Sequence, residues 1–178
     1  DGNISQDRLE DCINSDLANN YGNLCQRVNA FAIKNCSSKI PDKIKFQKDD
    51  LILLDKYKND LSNIRSKIEN QNINFYINYI VNSLFEANKY FNDQEPWKKK
   101  NDPIRLNTIV YTTFEIVRKI SFLLYPIIPE SSLKALKIFN IKEKDINLKS
   151  VSNNEFLIKG NAINQINILF KKAEKVND

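Results

Sequence analysis

A chain of 178 residues with 42% hydrophobic and 28% charged side chains has enough apolar material for one domain with a sizeable core. Its net charge of +5 favours an anionic partner over a cationic one, and its longest apolar run, near residues 120–129, is too short and too broken by proline to span a membrane. The absence of histidine excludes a His base, a Ser-His-Asp triad and His-ligated metal, and three scattered glycines exclude a P-loop or a dinucleotide fingerprint.

The first predicted helix takes Ser5 as its N-cap and carries Leu9, Ile13, Leu17, Tyr21, Leu24, Val28 and Phe31 at steps of three and four. It ends near Cys36-Ser37-Ser38, ahead of Pro41. Gly22 lies inside it at a cost of about 1 kcal/mol relative to alanine, which suits tight packing against a neighbouring helix or a close approach to the backbone. Cys12, Cys25 and Cys36 are odd in number and far apart. They read as small hydrophobes of a cytoplasmic, reducing environment, with no metal site and no disulfide frame. A second helix covers Asp50 to Ile68, with Leu51, Leu54, Tyr57, Leu61, Ile64 and Ile68 facing inward. A third runs from Asn72 to Phe91 on Ile73, Ile77, Ile80, Leu84 and Ala87. Asp102 caps and Pro103 opens a fourth, bearing Ile104, Ile109, Val110, Phe114, Val117, Ile120 and Leu124. Pro126 and Pro129 end it, and Pro129-Glu130-Ser131 starts a short fifth helix through about Phe139.

Beyond Ile141 the pattern weakens to an extended piece around Phe156-Leu157-Ile158 and a last helical stretch from Ala162 to Lys175. The expected fold is therefore all-α, a bundle of about five main helices over residues 1–140, with a less regular C-terminal extension at 141–178 that ends in a helix. The chain contains no methionine, hence no initiator, so it is expected to be part of a longer protein and to hold no catalytic apparatus of its own. Its many Asn, Lys and Ile residues reflect an AT-rich coding genome.

Two features suit an unpaired nucleic acid. Asn23 and Arg27 stand one helical turn apart beside the Leu24/Val28 stripe, an amide and a guanidinium able to read base edges; the same spacing also describes an ordinary helix-edge pair. The lone tryptophan, Trp97, follows the helix-breaking Pro96 and precedes Lys98-Lys99-Lys100. A rigid ring at a basic corner can stack on an exposed base, and a ring folded back over the core fits the same residues.

Three stretches near the start, Asp1-Gly2-Asn3-Ile4-Ser5, Asn14-Ser15-Asp16-Leu17-Ala18-Asn19 and Gly22-Asn23-Leu24-Cys25-Gln26-Arg27, resemble the opening of the anticodon-binding domain of methionyl-tRNA synthetases. Ala87-Asn88-Lys89-Tyr90-Phe91 with Glu95-Pro96-Trp97, and Leu123-Leu124-Tyr125-Pro126-Ile127-Ile128-Pro129-Glu130, are similar to that family's later segments and occur in the same order. The resemblance covers most of residues 1–140 and implies a class I aminoacyl-tRNA synthetase. Its Rossmann-type catalytic domain would precede residue 1 and bind ATP (with Mg) and methionine; the family's HIGH and KMSKS signatures are absent here. The fragment alone would then be no enzyme and need no cofactor, while its parent would be a methionine–tRNA ligase. Implied partners are methionine tRNA, through its anticodon loop, and the protein's own catalytic domain, with no membrane. By the same resemblance Asn23, Arg27 and Trp97 recognise the CAU anticodon and Pro96 shapes the Trp platform; as basic side chains around that site, Lys89, Lys98, Lys99 and Lys100 are expected to contact phosphates. The triple lysine is more basic than the family's usual residues after this Trp, through phosphate contacts or lysine bias. The rival expectations are the anticodon domain of a leucyl, valyl, isoleucyl or cysteinyl enzyme, and a non-enzymatic helical module that docks a protein partner in an apolar groove.

Overall fold

One helix is buried on every side and organises the rest. The computed structural model describes residues 20–166 apart from residue 71. A π-helical turn at residues 20–22 leads into α1 (Asn23–Asn35), followed by α2 (Lys48–Glu69), α3 (Ile73–Gln94), α4 (Pro103–Leu124) and α5 (Pro129–Leu136). In α4 every residue from Thr108 to Leu124 is buried, as a helix at the centre of a bundle must be, and α1, α2, α3 and α5 all pack on it. Local chemistry sets the starts. Asn72 accepts a hydrogen bond from the Phe75 amide at 3.1 Å, Asp102 accepts from the Arg105 amide at 3.0 Å, and Pro103 and Pro129 occupy first-turn positions where no N–H is needed. The fifth helix runs on as a 3-10 turn, Lys137–Phe139.

The described part of the expected stripes is largely in place: Tyr21 in the π-helical turn, Leu24 and Val28 on α1, and Leu54, Tyr57 and Ile64 on α2 are fully buried. Ser5, Leu9, Cys12, Ile13 and Leu17 lie outside the described residues, as do the side chains of Ile68 and Ile73. On α2 the face is rotated: Leu51 is 40% exposed, while Leu53 and the charged Asp50 point inward. Arg105 is the cause, because it gives Asp50 a buried partner. Ile104, at the first turn of α4, is also largely exposed.

The C-terminal part corrects two expectations. Residues 156–158 pair with no strand, and the described start of the expected last helix, 162–166, is not helical. Ala162 instead forms an antiparallel bridge with Lys39, the Gly160 and Ile163 amides donate to Ile40 and Ser38 carbonyls, and the Asn164 amide donates to Ile138. Those amides have partners across the fold, so nothing drives them into a helix. Gly160, at φ 83, makes the turn that admits this pairing. Residues beyond 166 lie outside the described residues.

Residues 148–163 form a strap that α4 holds through buried charge. Arg118, fully buried, donates to Glu115 at 2.8 Å and to the Ser150 and Asn153 carbonyls at 3.0 and 2.7 Å, and its guanidinium faces the Phe122 and Phe156 rings. Lys119 donates to the Val151 carbonyl at 2.5 Å and to Asn154 at 2.8 Å, while Glu115 accepts from the Leu157 amide at 2.7 Å. Val151, Leu157 and Ile163 complete the core. Burial presses the Lys119 ammonium down to about 7, and the adjacent Arg118 charge adds to the shift. A lysine that binds its proton more weakly folded than unfolded makes the fold more stable as pH rises between those two values. Wild type should therefore gain up to about 1.4 kcal/mol per pH unit relative to Lys119→Met between roughly pH 7 and 9, read from urea unfolding at each pH. A flat difference would mean that Lys119 titrates normally.

Candidate nucleic-acid interface

Helix α1 buries Leu24, Cys25 and Val28 and thereby turns Asn23 and Arg27 to solvent, one turn apart. Arg27 Nη2 donates to Asn92 Oδ1 at 2.7 Å, and its guanidinium carbon lies 5.5 Å from the centre of the Phe91 ring. That distance is within cation–π range. Phe91 is itself almost fully buried, edge-to-face against Phe31 at 6.0 Å.

Trp97 reaches the same ring. Helix α3 stops because Glu95 adopts a left-handed conformation, φ 44 and ψ 58, and the buried Pro96 then begins a 3-10 turn, Pro96–Lys98. This turn lays Trp97 edge-on to Phe91, centroids 6.0 Å apart and planes at 69°. The indole is 40% exposed, so it is neither folded into the core nor detached from it. The indole contacts Phe91 while part of its surface stays exposed.

The structure thus brings Arg27 and Trp97 together on Phe91, with Asn23 one turn back along α1; Asn23 makes no side-chain hydrogen bond among the described residues. The four expected phosphate contacts divide. Lys89 pairs with Asp93 and Lys98 pairs with Glu95 at 2.7 Å, both at the surface, whereas Lys99 and Lys100 form no ion pair among the described residues. Phe91 and Asn92 carry the junction, yet sequence reasoning assigned them no role. Apart from the Phe91–Trp97 contact, their partners Arg27 and Phe31 are on α1, far away in the chain, and only the position of Phe91 near a helix break points to it. Among the described residues no cluster of Cys, Asp and Glu could hold a metal ion. Burial pushes the Cys36 thiol up to about 11 and the Cys25 thiol higher still, so both stay protonated and poor ligands.

Residues 40–178 match the family described as the anticodon binding domain of methionyl tRNA ligase. The chain belongs to this family. It is 36% identical over 142 residues to the methionine–tRNA ligase of Brucella suis, which spans 79% of the chain and 28% of the relative. It is 33% identical over 192 residues to the Rickettsia felis ligase, spanning 98% and 35%. Among solved structures it superposes on the free-state Mycobacterium tuberculosis methionyl-tRNA synthetase with a TM-score of 0.87 at 30% identity, covering 96% of this chain and 35% of that one. The complex of the same enzyme with methionyl-adenylate gives 0.85. The chain therefore spans about a third of the length of the relatives it matches. Its helical bundle is the fold of a methionyl-tRNA synthetase anticodon-binding domain.

Proposed function

We propose that this anticodon-binding domain reads the CAU anticodon of methionine tRNA with Asn23, Arg27 and Trp97, for a methionine–tRNA ligase whose catalytic domain binds ATP (with Mg) and methionine. The observation that carries the reading is the convergence of Arg27 and Trp97, far apart in sequence, on the single ring of Phe91. Bases splayed from the anticodon loop lose their stacking neighbours, and an exposed indole face returns about 1–3 kcal/mol per base without choosing among them. Selection needs directed hydrogen bonds. The bond to Asn92 holds the Arg27 plane and leaves its other donors without a partner among the described residues, and Asn23 adds an amide donor and acceptor a turn away. A wrong base leaves such a group unpaired, at about 1–3 kcal/mol. Pro96 keeps the platform rigid. Lys99 and Lys100 are available to phosphates at once, and Lys89 and Lys98 exchange weak surface carboxylate partners for phosphate. The similarity to a synthetase structure holding methionyl-adenylate supports the ligase chemistry assigned to the parent. Free thiols at Cys25 and Cys36 and a role in translation support a cytoplasmic setting, and no described helix is long and apolar enough to cross a membrane.

The test uses the chain's one tryptophan. Titration of a methionine-tRNA anticodon stem-loop is expected to quench Trp97 fluorescence, with base-swapped loops binding at least about tenfold more weakly, and added salt weakening all of them alike. Equal binding of swapped loops, or no response of Trp97, would refute the reading.

A further inference from the structure

The segment that carries Trp97, residues 95–102, hangs between the last turn of α3 and the first turn of α4, and both turns are tied to one buried ion pair. Arg105 Nη1 donates to Asp50 Oδ2 at 2.6 Å and Nη2 to Asp50 Oδ1 at 2.9 Å, and Asp50 has no exposed surface. Tyr90 donates to Asp50 Oδ1 at 2.5 Å, and the Gln47 amide donates to Oδ2 at 2.7 Å. Arg105 Nη2 also donates to Gln94 Oε1 at 2.5 Å, while Gln94 Nε2 reaches Asp49 at 3.3 Å. Tyr90 and Gln94 are one turn apart on α3 and are gripped from α2 and α4. Between them, Phe91 and Asn92 turn toward α1 and carry the contacts to Trp97 and Arg27.

A buried ion pair is on balance no more stabilising than well-packed apolar side chains of similar volume. What apolar residues cannot supply is direction: the planar fork of Arg105 ties both oxygens of Asp50 and the amide of Gln94 in fixed geometry. Burial by itself would raise the Asp50 carboxyl, but Arg105, Tyr90 and the Gln47 amide hold it below the usual carboxylate range, so the fork stays charged. The bonds also fix the rotation of α3 about its axis at the turn that ends in Glu95, and from there the Glu95 and Pro96 carbonyls accept from Lys98 and Lys99, and the Lys99 carbonyl from Asp102.

We propose that Arg105, Asp50 and Gln94 are positioning residues for anticodon recognition, setting the angle at which Trp97 and Arg27 share the Phe91 ring. This rests on the anticodon reading, but none of the three need touch RNA: Asp50 and Arg105 are buried beneath the site and act through α3 and the 95–102 segment.

The experiment compares the 178-residue chain with Gln94→Leu, which keeps volume and removes one anchor, and Arg105→Lys, which keeps the charge and loses the fork. Asn154→Ala in the strap, which removes hydrogen bonds to Asp55 of α2 and Lys119 of α4, serves as a control for general loosening. Thermal melts establish that each variant is folded; if Arg105→Lys is not, Gln94→Leu carries the comparison. Without RNA, acrylamide quenching of Trp97 should rise in both network variants and not in the control. With RNA, the preference for CAU over swapped stem-loops should fall about tenfold, the scale of one well-directed hydrogen bond. Folded network variants with wild-type Trp97 quenching and wild-type preference would overturn the proposal, as would equal losses in Asn154→Ala. If wild type itself shows no anticodon preference, the functional reading fails, and the RNA-free quenching alone decides whether the ion pair positions the indole.

Discussion

Trp97→Ala is expected to weaken binding of every anticodon stem-loop by a similar factor, about 5- to 150-fold, while leaving the order of preference among anticodons nearly unchanged. Each base offers a π face, so a stacking platform contributes to all of them alike. The variant has no tryptophan, so labelled stem-loops followed by fluorescence anisotropy supply the affinities. Truncation also removes the edge contact with Phe91, worth about 0.5–1.5 kcal/mol, and a melting curve shows whether the fold tolerates that loss. Arg27→Lys is the contrasting case. The charge stays, but a point charge cannot repeat the planar fork that bonds Asn92 and is proposed to read bases, so preference among anticodons should collapse more than overall affinity. A Trp97→Ala loss confined to the methionine anticodon would contradict stacking, and an Arg27→Lys variant that still rejects swapped loops would remove Arg27 from the readers.

The second large effect concerns stability. Glu115→Gln should cost about 3–5 kcal/mol, because it leaves the fully buried Arg118 without its counter-charge. For a domain of this size that lowers the melting temperature by roughly 6–20 °C. The glutamine keeps an acceptor for the Leu157 amide but brings a donor against the guanidinium, so the strap should loosen before the helices do. Amide exchange localises the change, with Leu157 losing protection ahead of α4. A melting temperature within a degree or two of wild type would mean that the apolar contacts of Val151, Leu157 and Ile163 hold the strap without help from the buried charges.

Much of the helical frame is legible in the chain because helix signals are local. The caps at Asn72 and Asp102 act on amides three residues away, prolines at 103 and 129 fit only a first turn, and the α1 and α4 stripes repeat at the helical period. The same logic fails where a polar group faces inward. Asp50 begins the expected second helix and Leu51 is placed on its inward face; the burial of Asp50 in its stead goes with a guanidinium 55 residues away. Glu115, Arg118 and Lys119 lie inside the most apolar helix, and nothing nearby in sequence says that they meet the strap.

For the site, the chain by itself determined that Arg27 and Asn23 share one exposed helix edge and that Trp97 follows a break, since spacing along a helix and the missing proline N–H are properties of neighbouring residues. Only the tertiary structure decided that these parts meet on Phe91, that Asn92 orients Arg27, and that residues 148–163 are a strap of the core. Apart from Phe91 with Trp97, a few residues on, those contacts join segments tens of residues apart, and their geometry depends on how α1, α3 and α4 pack, which no local pattern of residues records.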